Sequence, residues 1–201
     1  MFIQVIQGQV RHSEPVYVEL DAWIKEISRS VEGWLGSTAG VTDDKRFIAL
    51  ARWESEEAAR RHSARPEQDH WWKAFSELFD DPPAFRETSE VFIDVPREPD
   101  QARFVQVMQG RGTDMDRARE LMGAHSDQWA AFRPDILGTV GCMFGDGYTT
   151  ASYFTNEEAA REGERKPPPP ELQAEMDELE SLVVGVPEFF DLREPWVHTP
   201  S

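Results

Sequence analysis

Apolar positions in the first ten residues leave neither side of a strand polar: Phe2 and Ile6 fall on one face of Phe2 to Val10, Ile3 and Val5 on the other. A strand covered on both faces needs a layer above and a layer below. The period then changes. Val16, Leu20, Trp23, Ile24, Ile27 and Val31 follow at spacings of three and four, an apolar stripe on a helix that opens at Glu14-Pro15 and stops at Gly33. Two strands come next, Trp34 to Val41 and Lys45 to Trp53, turned by Asp43-Asp44. Ser55 predicts the N-cap of a short helix to Ala64, and Pro66 interrupts it. Trp71, Ala74, Phe75, Leu78 and Phe79 mark a further helical segment, and a strand from Thr88 to Val95 is expected to close the series.

The series occurs twice. FIQVIQG at Phe2 to Gly8 returns as FVQVMQG at Phe104 to Gly110, and the same offset of 102 pairs Leu35-Gly36-Ser37 with Leu137-Gly138-Thr139. After a one-residue deletion, Glu56-Glu57-Ala58-Ala59-Arg60 matches Glu157-Glu158-Ala159-Ala160-Arg161, and Pro66 matches Pro167. The second copy carries its own helical stripe (Met115, Ala118, Met122, His125, Trp129, Phe132), an Asp146-Gly147 hairpin turn, a helix with Leu172, Met176, Leu179 and Val183, and a strand near Glu188 to Arg193. The expected organisation is a first repeat over 1–95, a linker at 96–101, a second and more degenerate repeat over 102–194, and a tail at 195–201. Each repeat reads β-α-β-β-α-β, the ferredoxin-like order. That order puts helices on one sheet face only, so the fold class expected is α+β, with two fused ferredoxin-like repeats burying their bare faces against each other as an intramolecular barrel.

A net charge of −17 disfavours partners built of phosphate, so neither nucleic acid nor an anionic membrane is expected to bind. No apolar run reaches the ~18 residues of a membrane span, and a soluble cytoplasmic protein is expected. The single Cys142 permits no internal disulfide, and no Cys/His spacing suggests a metal site. There is no phosphate loop and no nucleophile elbow.

The β-α-β-β-α-β order, Trp53-x-x-x-Glu57-Ala58 at the end of the third strand, and His62-x-x-x-Pro66-x-x-x-His70-Trp71 together resemble the antibiotic biosynthesis monooxygenase family of the dimeric α+β barrel superfamily. The resemblance covers most of the first repeat and, more weakly, the second. It implies a cavity between sheet and helices, and activities that range from cofactor-independent oxygenation of polyphenols to oxidative haem breakdown. Haem-degrading members use an Asn on the first strand with a Trp and a His; here that first-strand position is Gln7, while His62, His70 and Trp71 are of suitable type. No counterpart of the Asn and Trp pair of the cofactor-independent oxygenases stands in this chain. In the second copy His62 corresponds to Gly163, and His70-Trp71 falls against Glu171-Leu172.

The catalytic candidates are therefore His62 and His70, as proton acceptors, each weighed against a plain role at a helix end or in solvent. Gln7, Trp23, Trp71, Gln109 and His125 are candidates to line a ligand site. The alternatives are core aromatics for the tryptophans, a satisfied core imidazole for His125 at the position of Trp23, and strand-to-strand bonding for the glutamines. Two functions stand open: an enzyme that oxidises an aromatic or polycyclic molecule with dioxygen and no tightly bound cofactor, or a non-catalytic barrel holding a small apolar ligand. Haem degradation is a weaker third. The chain is expected as a monomeric pseudo-dimer or a weak homodimer.

Overall fold

The computed structural model describes residues 1–94 and 99–200, with a side-chain account for all of these but residues 29, 94 and 99. It divides into two units, residues 1–89 with 194–201, and residues 90–193. Unit 1 begins β1 (Phe2–Gln9), α1 (Ser13–Glu26), β2 (Trp34–Val41), β3 (Arg46–Trp53), α2 (Glu56–Ser63), α3 (Pro66–Ser76) and β4 (Ala84–Thr88). Unit 2 follows as β5 (Val91–Asp94), β6 (Phe104–Gly112), α4 (Met115–Ala124), α5 (Ser126–Phe132), β7 (Ile136–Phe144), β8 (Gly147–Phe154), α6 (Glu157–Glu164), α7 (Pro170–Leu182) and β9 (Val183–Leu192), and β10 (Trp196–His198) returns the chain to unit 1. The sheets run β10-β2-β3-β1-β4 and β5-β7-β8-β6-β9, antiparallel throughout and alike in order, so the α+β repeat is real in three dimensions.

Local chemistry sets the same boundaries in both copies. Ser55 Oγ accepts from Ala58 N at 3.1 Å and Asn156 Oδ1 accepts from Ala159 N at 2.8 Å, capping α2 and α6 in turn; such a cap is worth about 1 kcal/mol. A register shift falls between Trp34 and Gly36, and again between Ile136 and Gly138. In the strands, alternation holds: Phe2, Phe47, Ala49 and Trp53 join the core under the helices, while Ile3, Val5, Ile48 and Leu50 on the other face are also buried.

Three stretches differ from the sequence expectation. The strand expected at Thr88 to Val95 begins on the last residue of β4, which closes the first sheet, and continues as a separate β5, which edges the second; Val95 lies outside the described residues. β4 is an edge strand carrying Arg86, Glu87 and Thr88, and its polar side chains mask its period. β5 finds its seat because β7 has a glycine there: a Cβ on Gly141 would stand 1.9 Å from the Phe92 ring. The expected tail is not loose either. Trp196 is buried, its indole Nε1 donates to Asp21 Oδ1 at 2.9 Å, and β10 pairs with β2; three residues are too few to show a period. Finally, the first helix of the second repeat breaks at His125 (φ −131°, ψ 34°) into α4 and α5. The expected linker at 96–101 lies outside the described residues for 96–98 and forms a single 3-10 turn at Pro99–Gln101.

Candidate functional site

In unit 1 the helices do not close onto the sheet. Ala49 and Ala51 on β3 and Ala39 on β2 present small side chains where large ones would fill the layer, and a chamber of about 270 Å³ remains above them. Its walls are aromatic. Trp53 and Trp34 rise from the sheet, Trp23 comes from α1, Trp71, Trp72 and Phe75 from α3, and Trp196 from β10. These rings brace one another: Trp23 meets Trp34 edge to face at 5.0 Å between centroids, and Trp71 stacks on Phe75 at 4.7 Å. A stiff aromatic box of this kind favours a flat, apolar guest.

His62 is the one imidazole at this wall. α2 carries it inward from its last turn, where the ring lies tilted over Trp53 at 5.1 Å and edge-on to Trp23 at 5.7 Å. Burial, above all, pushes its pKa down to about 4; the bond with Gln68 and the charge of Glu67 act the other way, and the charge of Arg65 lowers it further. The ring is therefore neutral at pH 7. Gln68 also accepts from Trp23 Nε1 at 2.8 Å, so one amide orients both rings. His62 Nδ1 and Trp53 Nε1 are buried with no hydrogen-bond partner. An unpaired buried donor or acceptor costs about 1–3 kcal/mol, and both of these belong to residues that line the one chamber.

The other expected site residues fall elsewhere. Trp23 and Trp71 line the chamber. His70 is exposed on α3 and is not at its wall, because a ring two positions after Gln68 turns to the outer face of the helix. Gln7 and Gln109 stand on the sheet face away from the helices, as the alternation along β1 and β6 requires; Gln109 donates to Thr149 Oγ1 at 3.1 Å. The polar strand residues at the chamber are Ser37 and Gln4, and Gln4 donates to Glu87 Oε1 at 2.7 Å. Burial raises the pKa of Glu87, but the bonds from Gln4 and Arg60 outweigh it and hold the carboxylate below its ordinary range. Unit 2 repeats this link, with Gln106 donating to Asp191 at 2.8 Å and Arg161 pairing with Asp191. It is a structural tie between the first and last strands of each repeat.

His125 sits between α4 and α5 with Nδ1 at 2.5 Å from Glu175 Oε2, and Trp129 Nε1 donates to the other oxygen at 2.6 Å. It lines none of the cavities described, although Glu175 does. Where unit 1 has His62 over Trp53, unit 2 has Gly163, and the Arg133 guanidinium fills the space. A Cβ on Gly163 would stand 2.2 Å from Arg133 Nε, and Arg133 lies over Phe154 while bonded to buried Asp135 at 2.7 Å. The imidazole of the first copy is thus replaced by a matched ion pair in the second. Sequence reasoning missed Gln68, which carries no signal apart from its place in the fold, and Trp196, hidden by a short strand. Among the described residues no group of three His, Cys, Asp or Glu side chains could hold a metal ion, and no helix is long and apolar enough to cross a membrane.

No family model and no curated protein matches the chain. Solved structures do. A candidate monooxygenase from Lactobacillus acidophilus superposes with a TM-score of 0.71 over 98% of each chain at 14% identity. One from Fusobacterium nucleatum gives 0.75 over 98% of this chain and 94% of its own at 8% identity. An anthrone oxidase-like protein gives 0.64 over 98% and 92% at 14% identity. At these identities the likeness is one of fold: the chain shares with these proteins a tandem α+β fold along its whole described length.

Proposed function

We propose that unit 1 is the active site of a monooxygenase that oxidises an aromatic or polycyclic small molecule with dioxygen and without a tightly bound cofactor. The observation that carries this reading is the pair of buried, unpartnered nitrogens, His62 Nδ1 and Trp53 Nε1, at the wall of the aromatic chamber. His62 takes the proton. The substrate anion gives electrons to dioxygen, a C–O bond forms, and loss of water from the hydroperoxide leaves a carbonyl: R₂CH₂ + O₂ gives R₂C=O + H₂O. Trp53 Nε1 is placed to donate to the oxygen on which the substrate's negative charge gathers.

The basicity of His62 narrows the substrate. A simple phenol titrates near 10, so handing its proton to an imidazole at about 4 is uphill by about 8 kcal/mol. Attraction between the resulting ions in a dry site recovers part of that cost. The reading therefore favours an acidic enol or phenol whose anion is spread over conjugated rings and a carbonyl, such as an anthrone. A porphyrin macrocycle is larger than a chamber of about 270 Å³ walled by Trp71, Trp72 and Phe75, so the site does not fit haem.

The second reading, a non-catalytic binder of a small apolar molecule, rests on the same aromatic walls with no use of the imidazole. Oxygen uptake separates the two. Chelator-treated protein is screened against anthrones, hydroquinones and phenols while tryptophan quenching reports binding. Quenching with uptake supports the enzyme, quenching without uptake supports the binder, and neither response contradicts both.

A further inference from the structure

Unit 2 has lost the base but kept more room. Two adjoining cavities of about 580 Å³ and 480 Å³ lie between its sheet and helices, sharing the walls Phe92, Met108, Met122, Thr150, Met176 and Leu179. Where α3 fills unit 1 with Trp71, Trp72 and Phe75, α7 supplies Met176 and Leu179. Methionine packs adaptably against guests of varied outline, unlike the braced rings of unit 1.

One residue at the wall of the first cavity, Tyr148, carries a polar atom with no structural task. The Tyr148 hydroxyl is buried without a hydrogen-bond partner, and the residue is 8% exposed. The repeat supplies its own control. Tyr148 pairs with Gly110 across the β6–β8 ladder, as Phe47 pairs with Gly8 across β1–β3. In unit 1 the Phe47 ring packs on Phe75 and Phe79, at 5.6 Å and 5.4 Å, and the position works as plain hydrocarbon. In unit 2 a hydroxyl has been added at the equivalent place, and Gly110 leaves room for it: a Cβ there would lie 2.6 Å from Tyr148 Oη. An unpaired buried hydroxyl weakens the fold unless a partner arrives. The charged groups at the far wall are already matched, Glu175 with His125 and Trp129, and Arg133 with Asp135. Glu180 borders the first cavity and Glu164 and Lys166 the second, within walls that are otherwise mainly apolar.

We propose that unit 2 holds a second binding site, for a mainly apolar molecule carrying one hydrogen-bond-accepting oxygen, which the Tyr148 hydroxyl recognises. The site binds without chemistry of its own, and it stands whether or not unit 1 is an enzyme.

The test uses the full-length chain and two neutral fluorophores, prodan, which has a ketone, and N-phenyl-1-naphthylamine, which has none. Tyr148→Phe removes only the hydroxyl. It is expected to raise the melting temperature of the free protein, to weaken prodan binding about fivefold, the worth of one hydrogen bond, and to leave N-phenyl-1-naphthylamine unchanged. Equal effects on both dyes, no effect on prodan, or no binding of prodan to the wild type overturns the proposal. Met176→Trp, which fills the shared wall, is expected to remove the component of dye binding that Tyr148→Phe alters. Full retention of that component in folded Met176→Trp protein also overturns it. Should this variant not fold, Tyr148→Phe decides alone.

Discussion

His62 shows how a single side chain is altered by where it is put. Its repeat partner is Gly163, and the space that the imidazole takes in one copy is filled by the Arg133 guanidinium in the other. Because the folded pKa of about 4 lies below the ordinary 6.5, the unfolded chain takes up a proton first as pH falls. Stability from this group is full above about 6.5, is lost as pH falls toward about 4, and changes no further below that; the gap is worth about 3 kcal/mol. Urea unfolding of wild type and His62→Phe across that range should show the wild type losing more, with the curves running parallel below pH 4. Curves parallel throughout would mean that the imidazole is not desolvated. In turnover, the acid limb of kcat/KM is expected near 4 and not near 6.5, since the free enzyme's base sets it. The residue was legible as a candidate because a histidine closes a helix before a proline. Its exclusive place at the chamber, against His70 in solvent, depends on which way each helix turns, and that depends on long-range packing.

Elements were legible where the period was long and hidden where it was short. The seven-residue repeat, the Ser55 cap and the Asp146-Gly147 hairpin all announce themselves in local chemistry. β4 and β10 do not, since a polar edge strand and a three-residue strand have no period to read. Yet β10 supplies Trp196 to the chamber wall. Trp196→Ala removes a buried indole and its bond to Asp21, and should cost about 3–5 kcal/mol in urea unfolding while weakening quenching by any ligand of unit 1. A cost below about 0.5 kcal/mol, the usual range for a surface change, would show the strand to be loose after all. The seat of α6 on unit 2 is as tight. In Gly163→Ala the new methyl meets the Arg133 guanidinium and separates it from Asp135, and a loss of about 3 kcal/mol is expected because both charges are buried.

At the scale of the whole molecule, duplication has freed each copy to specialise. One copy keeps an imidazole over tryptophan in a tight aromatic box; the other has a matched ion pair, a broken first helix and a larger methionine-lined space. The fold could be read from the repeat because the first two strands and the capped helix α2 recur at an offset of 102 or 101. Their division of labour could not, because it rests on substitutions such as Phe47 to Tyr148 whose meaning appears only with their neighbours in place. The claim on which the account turns is that His62 is a working base, and oxygen uptake by chelator-treated protein, with an anthrone at saturating concentration, tests it most directly. Wild type should consume one dioxygen per carbonyl formed, and His62→Gln should bind the anthrone but consume oxygen at least about a hundredfold more slowly, the lower end of what a general base contributes. Equal rates in the two proteins, with binding intact in both, would contradict it.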